Sequence, residues 1–467
     1  MKSLSEAAES VEPHQECELG LEWLIKKYNV SVPRYTSYPP VPKWENELIT
    51  PLQWKQKVKI AFNENNKISL YLHLPFCESL CTYCGCNTRI TKNHKVEGPY
   101  ILSILKEWAL YLDTFETTPV IDEIHIGGGT PTFFSAENLE NLVEGILTSA
   151  HISANCTMSI EAHPGNTSVE QLQSLSDMGF RRISYGIQDS NPVVQKAINR
   201  HQSFKQISKT VELSRKAGFS SVNFDLVYGL PFQTLHSLEK TLRETLTLKP
   251  DRIAFYSYAH VPWKKPSQRG YSEIDLPDAM LKYKMNRLGH RIFEEAGYVA
   301  VGMDHFALPA DELAISLSKN QLHRNFMGYT EKPTSLLIGL GASAISDCGT
   351  AYMQNIKLVE DYQEAINTHI FAVEKGHRLT VAQAEIKDHI ANLMCNFSTN
   401  WDAEFAKKLQ ESGAWNRLLD MEENDLLVLK ANGLEVSTAG RYFIRNICST
   451  IDLESNTKVS NQYSKAI

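Results

Sequence analysis

The chain has 467 residues and a formal net charge of −7, with 42% hydrophobic and 22% charged residues. This composition is ordinary for a soluble protein, and the length allows several domains or one α/β barrel with additions. The acidic balance argues against a nucleic-acid binder, and no apolar run is long enough for a membrane span. The polar, acidic start resembles neither a secretory signal nor a transit peptide, so we expect a cytoplasmic protein with reduced cysteines.

The N-terminal region, residues 1–50, is predicted to be a leader followed by an arm. Residues 1–20 are polar and are expected to be disordered. The stretch VPRYTSYPP (32–40) contains three prolines, which fix φ and push the preceding residues towards extended backbone. We therefore expect an extended arm here, and composition alone would also allow a simple linker.

Residues 51–365 alternate short β-rich runs with longer segments of helical period. Because strands that alternate with helices form βαβ units, this region is predicted to be a parallel sheet in a partial (β/α)6 barrel of the α/β class. A later run at 297–309 is expected to extend the sheet. The six runs are ISLYLHLPF (68–76), IDEIHIGGGTPT (121–132), CTMSIEAHP (156–164), RRISYGIQD (181–189), SVNFDLVYGLP (221–231) and RIAFYSYAHVP (252–262).

The character of the chain changes after about residue 365, where a small, mostly α-helical domain of winged-helix type is predicted over 366–467. VAQAEIKDHIANLM (381–394) has a helical pattern. LLVLKANGLEVSTAGRYFIRNI (426–447) is interpreted as a helix, a short strand pair and another helix.

Four cysteines lie together in PFCESLCTYCGCN (75–87), with the spacing Cys77-x3-Cys81-x2-Cys84-x-Cys86. A structural zinc site normally uses two separated ligand pairs, and no second pair follows here. Four unreactive core cysteines are a poorer explanation, because the flanking residues are polar. A compact loop of three thiolates suits one cubane iron–sulfur cluster.

The predicted strand ends are unusually polar or rich in glycine, and barrel enzymes place their chemistry at these ends. Each feature also has a structural explanation, such as a tight turn for the glycines or a surface ion pair for a carboxylate. Their coincidence at five strand ends favours a binding site. The features are Gly127–Thr132, Glu161, Gln188 followed by Arg200, Asp225, and Tyr258–His260.

The CxxxCxxC motif resembles the signature of the radical S-adenosylmethionine (SAM) enzymes, and the chain as a whole resembles the oxygen-independent coproporphyrinogen III oxidases. The similarity covers nearly everything from about residue 20 onwards. Its principal motifs are PRYTSYP (33–39), YLHLPFCESLCTYCGCN (71–87), GGGTPT (127–132), SIEAHP (159–164), YGIQDSNPVVQKAINRHQ (185–202), NFDLVYGLP (223–231), YAHVP (258–262), LHRNFMGYT (322–330) and GASAIS (341–346).

The resemblance implies an oxidoreductase that converts two propionates of coproporphyrinogen III to vinyl groups, giving protoporphyrinogen IX in haem biosynthesis. It implies one [4Fe–4S] cluster, two SAM molecules and a 5′-deoxyadenosyl radical that abstracts hydrogen from the propionate. An electron donor of unknown identity is required, and we expect a monomer with no nucleic-acid or membrane partner. The alternative is a haem-binding, chaperone-like member of the same superfamily, which has no oxidase activity.

The resemblance also assigns site residues. It implies that Cys77, Cys81 and Cys84 hold the cluster, whereas Cys86 does not, because a fourth thiolate would block the iron that SAM needs. The residues implied around the SAM on the cluster are Tyr71, Gly128, Glu161 and Ile345. Those implied at the second SAM are Tyr83, Gly129, Thr130, Gln188, Arg200, Asp225 and Ala259. The candidates for the anionic propionates are Arg34, Arg89, His323 and Arg324.

Overall fold

The computed structural model describes residues 13–46, 49–454 and 463–467. The helices are α1 (Pro13–Tyr28), α2 (Pro51–Glu64), α3 (Glu97–Leu112), α4 (Ala136–Leu147), α5 (Val169–Asp177), α6 (Pro192–Ala197), α7 (Phe204–Ala217), α8 (Leu235–Leu246), α9 (Ala279–Glu295), α10 (Glu312–Ser318), α11 (Val359–Asn367), α12 (Val381–Asn396), α13 (Ala403–Glu411), α14 (Ala414–Glu423) and α15 (Ile444–Ile451).

The strands are β1 (Lys67–Leu74), β2 (Phe76–Cys77), β3 (Arg89–Ile90), β4 (Val120–Gly128), β5 (His151–Ala162), β6 (Arg182–Gln188), β7 (Ser221–Tyr228), β8 (Arg252–Ser257), β9 (Val299–Val301), β10 (His305–Ala307), β11 (His323–Asn325), β12 (Gly328–Thr330), β13 (Leu337–Leu340), β14 (Ile345–Asp347), β15 (Ala351–Asn355), β16 (Val373–Arg378), β17 (Ser398–Asn400), β18 (Leu427–Lys430) and β19 (Gly433–Val436).

A single sheet of 12 strands organises the large domain, in the order β16-β15-β14-β13-β1-β4-β5-β6-β7-β8-β10-β9. Each neighbouring pair in the central run of this order is parallel, as the alternation of strands and helices predicts. The run consists of β1, β4, β5, β6, β7 and β8. The partial (β/α)6 barrel of the α/β class is therefore confirmed. The run at 297–309 forms β9 and β10, and β10 extends the sheet by pairing antiparallel with β8.

The parallel strands have one apolar face and one polar face, because successive side chains of a strand point to opposite sides. Ile124, Ile126 and Ile160 are fully buried in the core that packs against the helices. The alternate positions, such as His125 and Glu161, are only half-buried and form the concave face. This face is where the strands can present polar groups to a ligand.

The helices between the strands begin at side-chain caps. Thr50, Ser168 and Thr234 each form a capping box, in which the hydroxyl accepts a bond from the third residue of the helix. These local signals fix where those three helices start, and the apolar side of each helix then packs onto the sheet.

The C-terminal residues form a second core together with the N-terminal arm. Helices α12 to α15 pack around the small sheet β17-β19-β18, and Ile25, Tyr35 and Tyr38 belong to the same hydrophobic cluster. The Tyr35 and Tyr38 hydroxyls both donate to the Asp452 carboxylate, at 3.3 and 2.8 Å. The arm is therefore an integrated part of this core.

Three expectations require correction; they concern the N-terminal leader, the domain boundary and one element of the C-terminal domain. The disordered leader over 1–20 is wrong from residue 13 onwards, where α1 begins; residues 1–12 lie outside the described residues. The main sheet extends past the expected boundary at 365, because β16 pairs with β15. The helix expected at the start of 426–447 is instead strand β18, because short apolar runs do not distinguish the two structures.

Within the described residues, none of the helices combines the length and the apolar character needed to cross a membrane.

Candidate active site

The cysteine loop follows the first strand of the barrel. Cys77 ends β2 and is buried, Cys81 and Cys84 are half-buried, and Cys86 is exposed. The Cys84 amide donates to the Cys81 carbonyl at 3.2 Å, which closes a turn between these two residues. At the carboxyl edge of the sheet, Cys77 is therefore presented from the end of β2, and Cys81 and Cys84 from the turn that follows.

Contacts from distant segments fix the loop in place. The Thr82 amide donates to the Ile198 carbonyl at 3.0 Å, and the Asn199 side chain donates to the Leu80 carbonyl at 2.8 Å. The Lys265 ammonium donates to the Cys86 carbonyl at 3.1 Å. The end of α6 and the segment after β8 thus hold the loop from two sides.

The thiols of the loop differ in acidity. Burial raises the pKa of Cys77 to about 11. A hydrogen bond with Cys86 lowers the pKa of Cys84 to about 6 and raises the pKa of Cys86. Arg200 Nη1 lies 3.7 Å from the Cys81 sulfur.

The donor set of the loop fits an iron–sulfur cluster. Cys77, Cys81 and Cys84 are free and lie in one short stretch of the chain, and thiolates are the ligands that hold such clusters. In the part of the chain that the structure describes, no group of three or more His, Cys, Asp or Glu side chains is arranged to hold a single metal ion. Three thiols in one loop are the donor chemistry that an iron–sulfur cluster requires.

The triple glycine packs directly against the end of the first strand. Gly128 has a φ of +118°, a conformation that side chains rarely adopt. A Cβ added to Gly129 would lie 2.6 Å from the Pro75 carbonyl oxygen and 2.9 Å from that of Phe76. The glycines are thus required by close backbone packing next to the cysteine loop.

Glu161 is the central carboxylate of the concave face. It accepts a hydrogen bond from the Gly128 amide at 3.2 Å, and one of its oxygens lies 3.4 Å from His125 Nε2. Burial alone would raise the pKa of Glu161, but the hydrogen bond and charge of His125 hold it below its ordinary value. Glu161 is therefore an ionised acceptor at neutral pH.

Tyr71 lies beside this carboxylate, and a Cβ added to Gly127 would contact both side chains. The Tyr71 ring stacks on that of His125 at 5.9 Å, and its hydroxyl lies 3.0 Å from His73 Nδ1. Tyr71 pairs in register with Gly339, and a Cβ on Gly339 would lie 2.4 Å from the Ile345 carbonyl oxygen. The structure thus brings together Tyr71, Gly128 and Glu161, three of the residues predicted around the first SAM. The fourth, Ile345, lies on β14, which β13, β1 and β4 separate from Glu161 on β5 in the sheet order.

A second polar group occupies the neighbouring strands. Arg200 donates to the Gly186 carbonyl through Nε and Nη2, at 3.2 and 2.6 Å. A Cβ on Gly186 would lie 2.6 Å from Gln188 Nε2, so this glycine makes room for both side chains. Asp225 accepts from Ser184 at 3.1 Å, and burial raises its pKa to about 6.

The remaining residues predicted for the second SAM lie at the edge of this group. Tyr83 packs against the cluster of buried residues that contains Tyr258. Thr130 Oγ1 lies 3.2 Å from the Cys77 sulfur, and the carbonyl of Ala259 accepts from Gln268 at 3.3 Å. Gln268 also reaches the Tyr83 carbonyl at 3.5 Å, which links the two segments.

The four cations predicted for anionic groups fall into different environments. Arg89 is exposed and pairs with Glu360 at 2.8 Å, and His323 is exposed. Arg34 lies 4.0 Å from Asp304, and Arg324 stacks over the Tyr329 ring at 4.9 Å. Arg324 is linked to the concave face through Tyr329 and His305, whose rings connect it to Tyr256.

The sequence reasoning missed His73 and His125, which connect the polar groups of the first two strands. His73 Nε2 lies 3.0 Å from the Asn87 carbonyl, and His125 Nδ1 lies 2.7 Å from the Ser159 hydroxyl. The signal that could have found them is the strand alternation, because both share the parity of Tyr71 and Glu161 on the concave face.

Known proteins resemble this chain at three levels. A family model described as the Radical SAM superfamily matches residues 71–245. The oxygen-independent coproporphyrinogen III oxidase of Synechocystis sp. is 38% identical over 95% of this chain and 97% of its own length. That of Helicobacter pylori is 37% identical over 92% and 95%.

A solved structure agrees over the same extent. The coproporphyrinogen III oxidase of Escherichia coli, described as a radical SAM enzyme, has a TM-score of 0.85 at 33% identity, covering 92% of this chain and 98% of that one. The matched residues span nearly the whole length of this chain, so they include both the barrel and the C-terminal domain. The chain therefore belongs to the oxygen-independent coproporphyrinogen III oxidases of the radical SAM superfamily.

Proposed function

We propose that this chain catalyses the oxygen-independent oxidative decarboxylation of two propionates of coproporphyrinogen III to vinyl groups, giving protoporphyrinogen IX in haem biosynthesis. The observation that carries the proposal is a loop of three free cysteines at the carboxyl edge of the barrel, adjoining an ionised Glu161. The similarity to oxidases over 95% of the chain supports the same reaction.

Two cofactors are required, a [4Fe–4S] cluster and SAM, and Cys77, Cys81 and Cys84 would hold the cluster. When bound together, these groups supply a strongly oxidising carbon radical that removes hydrogen from the substrate. Cys86 is not assigned as a ligand. Its side chain is exposed, and its hydrogen bond instead favours the thiolate of Cys84.

The polar groups of the concave face have distinct proposed roles. Glu161 would accept hydrogen bonds from an ammonium group, because it is ionised and lies beside the cysteine loop. Asp225 would accept from ribose hydroxyls, and Arg200 has donors left for a carboxylate beyond those used on Gly186. Two SAM molecules are proposed, one at each group of residues.

The proposed residues of the first SAM are Tyr71, Gly128, Glu161 and Ile345. Those of the second are Tyr83, Gly129, Thr130, Gln188, Arg200, Asp225 and Ala259.

The proposal also includes a cytoplasmic monomer that takes electrons from a separate donor. The acidic net charge of −7 supports a protein that stays dispersed in solution. Size-exclusion chromatography with light scattering measures the oligomeric state, and a dimeric mass would remove this part of the proposal.

The function is tested by anaerobic turnover. Protein with a reconstituted cluster is mixed with SAM, a reductant and coproporphyrinogen III, and the porphyrinogens are oxidised and separated by chromatography. Protoporphyrinogen should accumulate together with 5′-deoxyadenosine and methionine. The Cys81→Ser variant is the matched control and should form none of these three products.

If 5′-deoxyadenosine forms while the porphyrinogen stays intact, the oxidase function is wrong. Tight haem binding in the same preparation would then favour the chaperone-like alternative.

A further inference from the structure

Three cations cover the open end of the barrel and are not used by the proposed cofactor sites. Arg34 comes from the arm, Lys282 from α9 and Arg324 from β11; we name them the mouth cations. They come from segments that are far apart in sequence, so their convergence is a property of the fold.

Lys282 lies directly over the ends of two barrel strands. Its ammonium donates to the Tyr258 carbonyl at 3.2 Å. A Cβ added to Gly229 would lie 2.8 Å from Lys282 Cε. Gly229 follows β7 and Tyr258 follows β8, so the side chain crosses the carboxyl edge where ligands of barrel enzymes bind.

Arg324 has donors that the protein does not satisfy. Its Nε and Nη1 atoms are buried and have no hydrogen-bond partner. Leaving charged donors buried and unpaired costs free energy, so such groups are normally bonded to ordered water, an ion or a ligand. The guanidinium lies over the Tyr329 ring at 4.9 Å, the Tyr329 ring contacts His305, and His305 packs on Tyr256 of the concave face.

Negative charge near the mouth cations is scarce. Arg34 lies 4.0 Å from Asp304, whose carboxylate is also bonded to His305 at 2.7 Å. Among the described residues, Lys282 and Arg324 form no ion pair within 4.0 Å. One carboxylate therefore faces several cations.

Further positive charge surrounds the same region. Arg445 is buried and donates to the carbonyls of the arm, including that of Pro33 at 3.0 Å. Burial, together with repulsion from Arg445, Arg34 and Lys465, lowers the pKa of Lys282 to about 8. An anion placed at the mouth would relieve this repulsion.

We infer that Arg34, Lys282 and Arg324 bind propionate carboxylates of the tetrapyrrole and thereby orient it over the barrel. The inference rests on the proposed function, which supplies a substrate with more propionates than the two that react. Arginine matches carboxylates with paired hydrogen bonds, so the two guanidiniums can fix the direction of the macrocycle. Arg89 is excluded because it is exposed and already paired with Glu360.

The test measures binding without turnover. Coproporphyrin III, the stable oxidised form of the substrate, is titrated into the full-length protein, and porphyrin fluorescence reports binding. Arg324→Gln and Arg34→Gln should each weaken binding about tenfold, the usual effect of losing a charged hydrogen bond. The control Arg291→Gln on α9, with an exposed side chain, should bind as the wild type does.

A second arm separates the two possible sources of carboxylate. SAM binding to the cluster-loaded protein is measured by equilibrium dialysis for the same variants. Unchanged SAM affinity with weakened porphyrin binding supports the inference. Weakened SAM affinity with unchanged porphyrin binding overturns it, because the mouth cations would then serve the SAM carboxylate.

Two outcomes distinguish this inference from the proposed function. If the wild type decarboxylates the substrate but the variants bind coproporphyrin III normally, the inference is wrong and the function stands. If porphyrin binding depends on the mouth cations but no vinyl product forms, the function is wrong and the inference stands. If Arg324→Gln unfolds at a lower temperature than the wild type, the result for Arg34→Gln tests the inference instead. The Arg34 side chain is 37% exposed, so its replacement should not disturb folding.

Discussion

Replacing Gly129 with alanine should detach the cysteine loop from its support. The added Cβ would lie 2.6 Å from the Pro75 carbonyl oxygen, and this backbone leads directly into Cys77. Two hydrogen bonds hold the segments together, from the Gly129 amide to Leu74 at 2.8 Å and from the Thr130 amide to Phe76 at 3.0 Å. The clash therefore falls on backbone that is fixed on both sides.

The magnitude follows from this geometry. Restoring an ordinary contact requires the Pro75 backbone to move away by roughly 0.8 Å. A backbone shift at an overpacked site typically costs about 1–3 kcal/mol. Weakening the two hydrogen bonds adds about 0.5–1.5 kcal/mol for each bond. We expect Gly129→Ala to destabilise the protein by about 2–6 kcal/mol and to displace Cys77 from its cluster-binding position.

The assay compares iron and acid-labile sulfide after anaerobic reconstitution, together with the thermal midpoint. Gly129→Ala should lose most of its cluster and unfold at a lower temperature. Gly85→Ala is the matched control within the cysteine loop, because a Cβ there meets nothing within 4 Å. Full cluster content and wild-type stability in Gly129→Ala would refute the packing argument, and loss of SAM affinity alone would assign Gly129 to ligand contact only.

The remaining predictions concern the ligands and acceptors of the site. Cys86→Ser should retain iron and sulfide whereas Cys81→Ser should lose both, and equal loss in the two variants would make Cys86 a ligand. Glu161→Gln should weaken SAM binding about tenfold in equilibrium dialysis. This loss is at the low end of the range for a charged hydrogen-bond acceptor, because the Glu161 side chain is 42% exposed. Unchanged SAM affinity would contradict the role of Glu161 as an acceptor. Because burial raises the pKa of Asp225 to about 6, SAM affinity should increase as the pH rises through that value and the carboxylate ionises. Asp225→Asn should remove this step, and a flat wild-type profile between about pH 5 and 7 would argue against Asp225 as the acceptor.

The sequence was informative wherever the signal is local. Cys77, Cys81 and Cys84 lie within one short stretch of the sequence, so the chain itself keeps the three thiols near one another. Strand periodicity predicted the barrel, and the polar ends of those strands predicted Glu161 and Asp225 as neighbours at one edge. Short apolar runs carried less information, which is why β18 was expected to be a helix.

The tertiary structure decided what depends on contacts between distant segments. His125 shares a face with Glu161 through strand register, and α6 and Lys265 fix the cysteine loop from far along the chain. Lys282 reaches the barrel mouth only because α9 packs across the ends of β7 and β8.

Sequence alone therefore determined the chemistry of the site, that is, the thiolate loop and the carboxylates at the strand ends. These follow from residue type and from spacing over a few positions. Only the tertiary structure decided which side chains meet at the barrel mouth, from the arm, α9 and β11 around Arg324 and its unpaired donors. The reason is that side chains hundreds of residues apart meet through packing of the whole chain, which no local pattern encodes.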